Sequence, residues 1–148
     1  MNDNVITTDH PLTPAQQKTL AALLDAVLPE SDDGKMPSAG TLDLVAYLRK
    51  KSAEFIPVLV GIVEQLDASF GELPYTERHA HALAFSEAQP ELFAGLLFQV
   101  YDCYYQDERV MVGIGMEPGP PFPRGNSIEE GDLSLLDPVV QNSRTYRK

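Results

Sequence analysis

The chain has 148 residues, the size of one domain, and 43% of them are apolar, enough for a real core and well outside the disordered range. Its 22 acids against 11 bases give a net charge of -11, a field that repels phosphate backbones and argues against nucleic acid as a partner. One cysteine rules out an internal disulfide, and the longest apolar run, residues 55–63, is too short to cross a bilayer, so no membrane insertion is expected.

Residues 1–12 read as a flexible start. Residues 1–10 show no basic run and no apolar run, so the expected location is cytoplasmic unless a partner carries the chain elsewhere. Thr13 is a good helix cap and Pro14 suits the first helical position. Leu20, Leu23, Leu24, Val27 and Leu28 recur at three- and four-residue spacing, and Pro29 stops the helix. Residues 30–38 form a loop. The spacing of Leu42, Val45 and Leu48 predicts a second helix over residues 39–51. A third is predicted over 54–70, with Phe55, Ile56, Leu59, Ile62, Val63, Leu66 and Phe70 on one side and Gly71 as its stop. Thr76 is expected to cap a fourth over 77–87, with Ala80, Leu83 and Ala84 facing inward.

The fifth helix, over residues 90–106, has the clearest pattern: Leu92, Phe93, Leu96, Leu97, Val100, Tyr101 and Tyr104 draw a continuous stripe. Asp107 is expected to cap a short sixth piece reaching Val112. After Gly113 the character changes. Pro118, Pro120, Pro121, Pro123 and Pro138 make regular helix improbable through most of residues 117–148, yet Phe122, Leu136 and Val140 are among the apolar residues there. The fold class is therefore all-α: a bundle of about five helices over residues 13–116, with a long, proline-rich, irregular C-terminal arm over 117–148 that packs on the bundle or on a partner.

Chemistry-bearing motifs are few. His79 and His81 point to nearly opposite sides of a helix and share no metal. Cys103 lies beside Asp102 near a helix end, the wrong setting for a reactive thiolate, and reads as a core or interface residue. No Gly-x-Ser-x-Gly elbow and no Walker lysine motif occurs. Gly113 and Gly115 have no strand before them and prolines after them, so they make no dinucleotide loop. Tyr101, Tyr104 and Tyr105 form the most aromatic patch, at a core edge or an interface. The chain offers no catalytic, cofactor-binding or metal-binding constellation of its own.

Two stretches carry a family resemblance. Leu12, Thr13 and Pro14 lead into an apolar helix ending in Val27, Leu28 and Pro29. Later come Tyr104, Tyr105, Gln106 and Asp107, then Ile114, Gly115 and Met116, then Pro120, Pro121, Phe122, Pro123, Arg124 and Gly125, and then Asp132 with Leu136, Asp137 and Pro138. Over residues 12–147 the chain resembles the gluconate 2-dehydrogenase subunit 3 family, the small subunits of membrane-associated sugar and polyol dehydrogenases. The resemblance implies a non-catalytic subunit beside a large flavoprotein of the glucose-methanol-choline type. FAD belongs to that large subunit, and a cytochrome subunit is left open as a third component.

Carried over residue by residue, the resemblance marks Tyr104, Tyr105, Asp107, Pro121, Phe122, Pro123, Arg124, Asp132, Leu136, Asp137 and Pro138 as candidates for the partner interface or for packing of the arm. Many members of the family begin with a twin-arginine export signal, which this sequence lacks. The alternative reading is a free-standing acidic protein-binding module with no oxidoreductase partner.

Overall fold

A computed structural model of the chain describes residues 10–119, 125 and 131–141. The described residues form seven α-helices and no strand, so the fold is all-α. The chain divides into two compact units, Met1–Pro118 and Gly119–Lys148.

In the first unit, α1 (Pro14–Val27) is the hub. Thr13 and Gln16 close a capping box, with Gln16 N donating to Thr13 Oγ1 at 3.3 Å and Thr13 N donating to Gln16 Oε1 at 2.9 Å. Thr19, Leu20, Ala22, Leu23, Leu24 and Ala26 are all buried, a band wider than one stripe, because α1 is covered on several sides. Ala22 lets the turn at Gly71 approach closely, since a Cβ on that glycine would sit 3.8 Å from the Ala22 methyl. Leu12 is buried too, so the packed body begins ahead of the cap.

The predicted second helix divides. Residues Ala39–Thr41 form a 3₁₀ turn, and α2 runs over Leu44–Lys51. Two local bonds make the break. Ser38 Oγ accepts from Gly40 N at 3.1 Å while donating to Asp25 Oδ1 at 2.6 Å, which ties the turn to α1. Asp43 Oδ1 then accepts from Ala46 N at 2.9 Å and starts α2 afresh. The turn lies so close to α1 that a Cβ on Gly40 would sit 2.5 Å from the Ala21 carbonyl oxygen.

The third helix is shorter than its apolar pattern suggests. A 3₁₀ turn at Ala53–Phe55 leads into α3 (Ile56–Glu64). Asp67 Oδ1 accepts from Ser69 N at 2.8 Å and from Ser69 Oγ at 2.6 Å, a local turn that competes with helix. Phe70 is buried all the same, at the start of a 3₁₀ turn over Phe70–Glu72.

The fourth helix, α4 (Tyr75–Ala88), begins at Pro74 without a side-chain cap, so Thr76 lies inside it. Its inward face also differs from the expectation. Ala82 is buried, whereas Ala80, Leu83 and Ala84 are exposed. Arg78 sets this rotation. Its Nη2 lies 3.1 Å from Asp25 Oδ2, and its Nη1 donates to the Ala22 carbonyl at 3.3 Å. Arg78, Ala82 and Phe85, spaced i, i+4 and i+7, therefore face the bundle.

Gln89 alone separates α4 from α5 (Pro90–Tyr104), where proline is preorganised for the first helical position. Phe85 and Phe93 meet edge to face across this corner at 5.6 Å. Leu96, Val100, Cys103 and Tyr104 are buried. Asp107 caps α6 (Glu108–Gly113), as the sequence predicts, by accepting from Arg109 N at 2.9 Å. In the second unit, Asp132 caps a 3₁₀ turn at Leu133–Leu136, which continues into α7 (Asp137–Val140).

Two glycine substitutions are expected to act in opposite directions in urea denaturation. Gly40→Ala forces the turn off α1 and lowers stability by about 1–3 kcal/mol. Gly61→Ala, inside α3 with no atom within 4 Å of the added methyl, raises it by about 0.5–1 kcal/mol.

Candidate partner interface

The inner stripe of α5 buries the core, and its opposite face carries exposed aromatic side chains. Phe98, Tyr101 and Tyr105, spaced i, i+3 and i+7, share that outer face and are 68%, 41% and 53% exposed. The Tyr101 and Tyr105 rings stand 6.3 Å apart. Tyr101 also lines a groove of about 230 Å³ between α4 and α5, together with Leu83, Phe93, Leu97, His79 and Ser86. Leu83 is 53% exposed because Arg78 turned α4. The result is a continuous apolar and aromatic surface.

The other flank of α5 is fastened to α2. Tyr47 donates its hydroxyl hydrogen to Asp102 Oδ2, while Gln106 Nε2 donates to Tyr47 Oη at 3.3 Å and to Asp102 Oδ1 at 3.1 Å. Burial, then the hydrogen bond to Asp102 and that carboxylate's charge, push the Tyr47 phenol from its ordinary 10.0 to about 12. Burial is also the main cause at Cys103, raising its thiol from 9.0 to about 11, with the charges of Asp107, Asp43 and Asp102 adding to it. That thiol is a packing group at neutral pH.

The candidates from the sequence fall in different places. Tyr104 is buried and donates to the Pro37 carbonyl at 2.8 Å, so it holds the 30–38 loop and presents nothing to a partner. Tyr105 is exposed and packs edge to face on Tyr104 at 5.4 Å. Asp107 receives Arg109 Nε and Nη2, each at 2.9 Å, and this pairing holds its carboxyl below the usual range. Leu136, Asp137 and Pro138 are exposed in the second unit, as are Asp132, Leu133, Leu135, Val139 and Val140. Pro121, Phe122, Pro123 and Arg124 lie outside the described residues. Sequence reading missed Phe98 and the groove beside it, and it set Tyr101 in the core stripe, whereas Tyr101 is exposed on the other face. The signal for that face is the aromatic spacing of Phe98, Tyr101 and Tyr105.

Among the described residues no three His, Cys, Asp or Glu side chains converge as a metal would require, and no helix is long and apolar enough to cross a membrane. No protein-family model, no curated protein and no solved structure matches the chain.

Removing one hydroxyl separates the two neighbouring tyrosines. Tyr104→Phe leaves the Pro37 carbonyl unpaired and is expected to cost about 1–2 kcal/mol in chemical denaturation, whereas Phe98→Ser changes stability by less than about 0.5 kcal/mol. An alkaline titration followed by ultraviolet absorbance is expected to show one of the six tyrosines ionising near pH 12 in the folded protein. Because that pKa is raised on folding, the Tyr47 contribution to stability is complete below pH 10 and fades as pH rises towards 12. Tyr47→Phe abolishes the late ionisation.

Proposed function

We propose that the chain is a non-catalytic small subunit that stabilises and helps assemble a large FAD-dependent dehydrogenase of the glucose-methanol-choline type, acting on a sugar or other alcohol. The family resemblance supplies the identity of the partner. The observation that carries the reading is the uncovered aromatic face of α5, with Phe98, Tyr101 and Tyr105 beside the α4–α5 groove. A face of this kind is a liability on a free chain and an anchor in a complex, where large aromatics supply most of the binding energy.

In this reading FAD and the chemistry reside in the large subunit, and this chain contributes contact area. A stable interface buries on the order of 1,600 Å² in total. Because the small subunit binds only the folded partner, it shifts the partner's folding equilibrium by mass action. The acidic surface, with a net charge of -11, adds steering towards a partner face of opposite sign.

The test is co-purification of the tagged chain from its native cells, with an absorption spectrum of the captured material. A stoichiometric large protein with flavin bands is the expected outcome. Phe98→Asp combined with Tyr105→Asp should weaken capture by about tenfold or more while leaving the circular dichroism unchanged. A basic, flavin-free protein in the captured fraction would instead favour the acidic binding module.

A further inference from the structure

The bundle holds a second concavity, away from the aromatic face, where the start of α1 meets the 39–41 turn and the start of α2. Its volume is about 330 Å³, within the range of small-molecule sites. Leu20, Leu24 and Val45 lie along it and are buried, which gives it an apolar floor. His10, Gln17 and Asp43 supply its polar rim.

The hydrogen-bond inventory of that rim selects a ligand. Thr41, also on the rim, is already engaged. Its hydroxyl donates to the Ser38 carbonyl at 2.8 Å and accepts from Arg109 Nη1 at 3.2 Å. Gln17 Nε2 donates to the Leu12 carbonyl at 3.0 Å. Asp43 Oδ1 serves the α2 cap. His10 Nδ1 is occupied within the chain, 3.1 Å from Leu12 N, 3.0 Å from the Leu12 carbonyl oxygen and 3.3 Å from Gln17 Nε2. Two acceptors on the rim, Asp43 Oδ2 and Gln17 Oε1, have no partner among the described residues. Among the described residues no Lys or Arg lines the cavity, and the guanidinium that touches Thr41 is paired with Asp107.

The charge balance points the same way. The start of α2 carries roughly half a positive charge. The full negative charge of Asp43 outweighs it, and the net charge of -11 adds long-range attraction for cations. We propose that this cavity binds a small organic amine, its ammonium held by Asp43 and Gln17 and its hydrocarbon body laid against Leu20, Leu24 and Val45. The site owes nothing to the aromatic face of α5 and stands or falls separately from the proposed subunit role.

The experiment is an NMR titration of the full, isotope-labelled chain with n-hexylammonium chloride and, in parallel, with 1-hexanol. Amide shifts are expected at Gln17, Leu20, Asp43 and Val45, with the ammonium binding more tightly than the alcohol. Asp43→Asn keeps the helix cap, since asparagine caps as well as aspartate. It should weaken hexylammonium binding by about three- to fivefold, the range of one ion pair at an exposed rim, without altering hexanol binding. Absence of shifts at these amides, equal affinity for ammonium and alcohol, or an Asp43→Asn chain that binds the amine as well as the parent does would each overturn the proposal.

Discussion

Asp25 lies towards the end of α1 with a partner on either side. Ser38 Oγ donates to one carboxylate oxygen at 2.6 Å, and Arg78 Nη2 lies 3.1 Å from the other. The Asp25 and Arg78 side chains are only 32% and 17% exposed, so both have given up much of their hydration. Such a pair is costly to break from one side, because the partner left behind is a desolvated charge. The Ser38 contact holds the 39–41 turn on α1, where only glycine fits at position 40. The Arg78 contact fixes the rotation of α4, which sends Ala82 inward and Leu83 outward. The groove beside α5 is thus a consequence of a carboxylate on α1.

This is also where reading the sequence succeeds and where it stops. α1, α5 and α6 are legible because their caps and periodicity agree: Thr13 with Pro14, Pro90 with an unbroken stripe, and Asp107 ahead of a short run. The predicted second helix spans a break because Asp43 sits within an apolar pattern, and a pattern does not show that a side chain has turned back to cap. The third helix ends early at the Asp67–Ser69 turn for the same reason. The face of α4 differs from its apolar pattern because arginine reads as a surface residue, while here its long stem crosses to Asp25.

The tyrosine pair shows the same limit at the interface. Tyr104 and Tyr105 are chemically identical and one residue apart, which on a helix is about 100°. That step separates a buried hydroxyl bonded to Pro37 from an exposed ring. Composition marks the patch as aromatic, but only the packing of Val100, Cys103 and Tyr104 against the core decides which ring is left outside.

The acidic surplus has a structural share that net charge conceals. The side chains of Ser31, Ser69 and Ser134, followed by backbone N–H groups, hold the carboxyls of Asp33, Asp67 and Asp132 below the usual range, and the Arg109 side chain does the same for Asp107. These aspartates punctuate turns and helix starts. Their negative charge persists into stronger acid than that of an ordinary carboxylate, so the punctuation and the charge are retained together.

The corner at Gln89 has a kinetic consequence. With one residue between Ala88 and Pro90 there is no slack, and the Phe85–Phe93 contact braces the turn from within. At this corner the two helices have little room to move independently, so the Phe93 end of the groove keeps its spacing in the free chain. Anything that docks there meets a finished surface. Its arrival is then governed by diffusion and orientation, about 10⁵–10⁷ M⁻¹s⁻¹ for proteins, with no slower opening step in front of it.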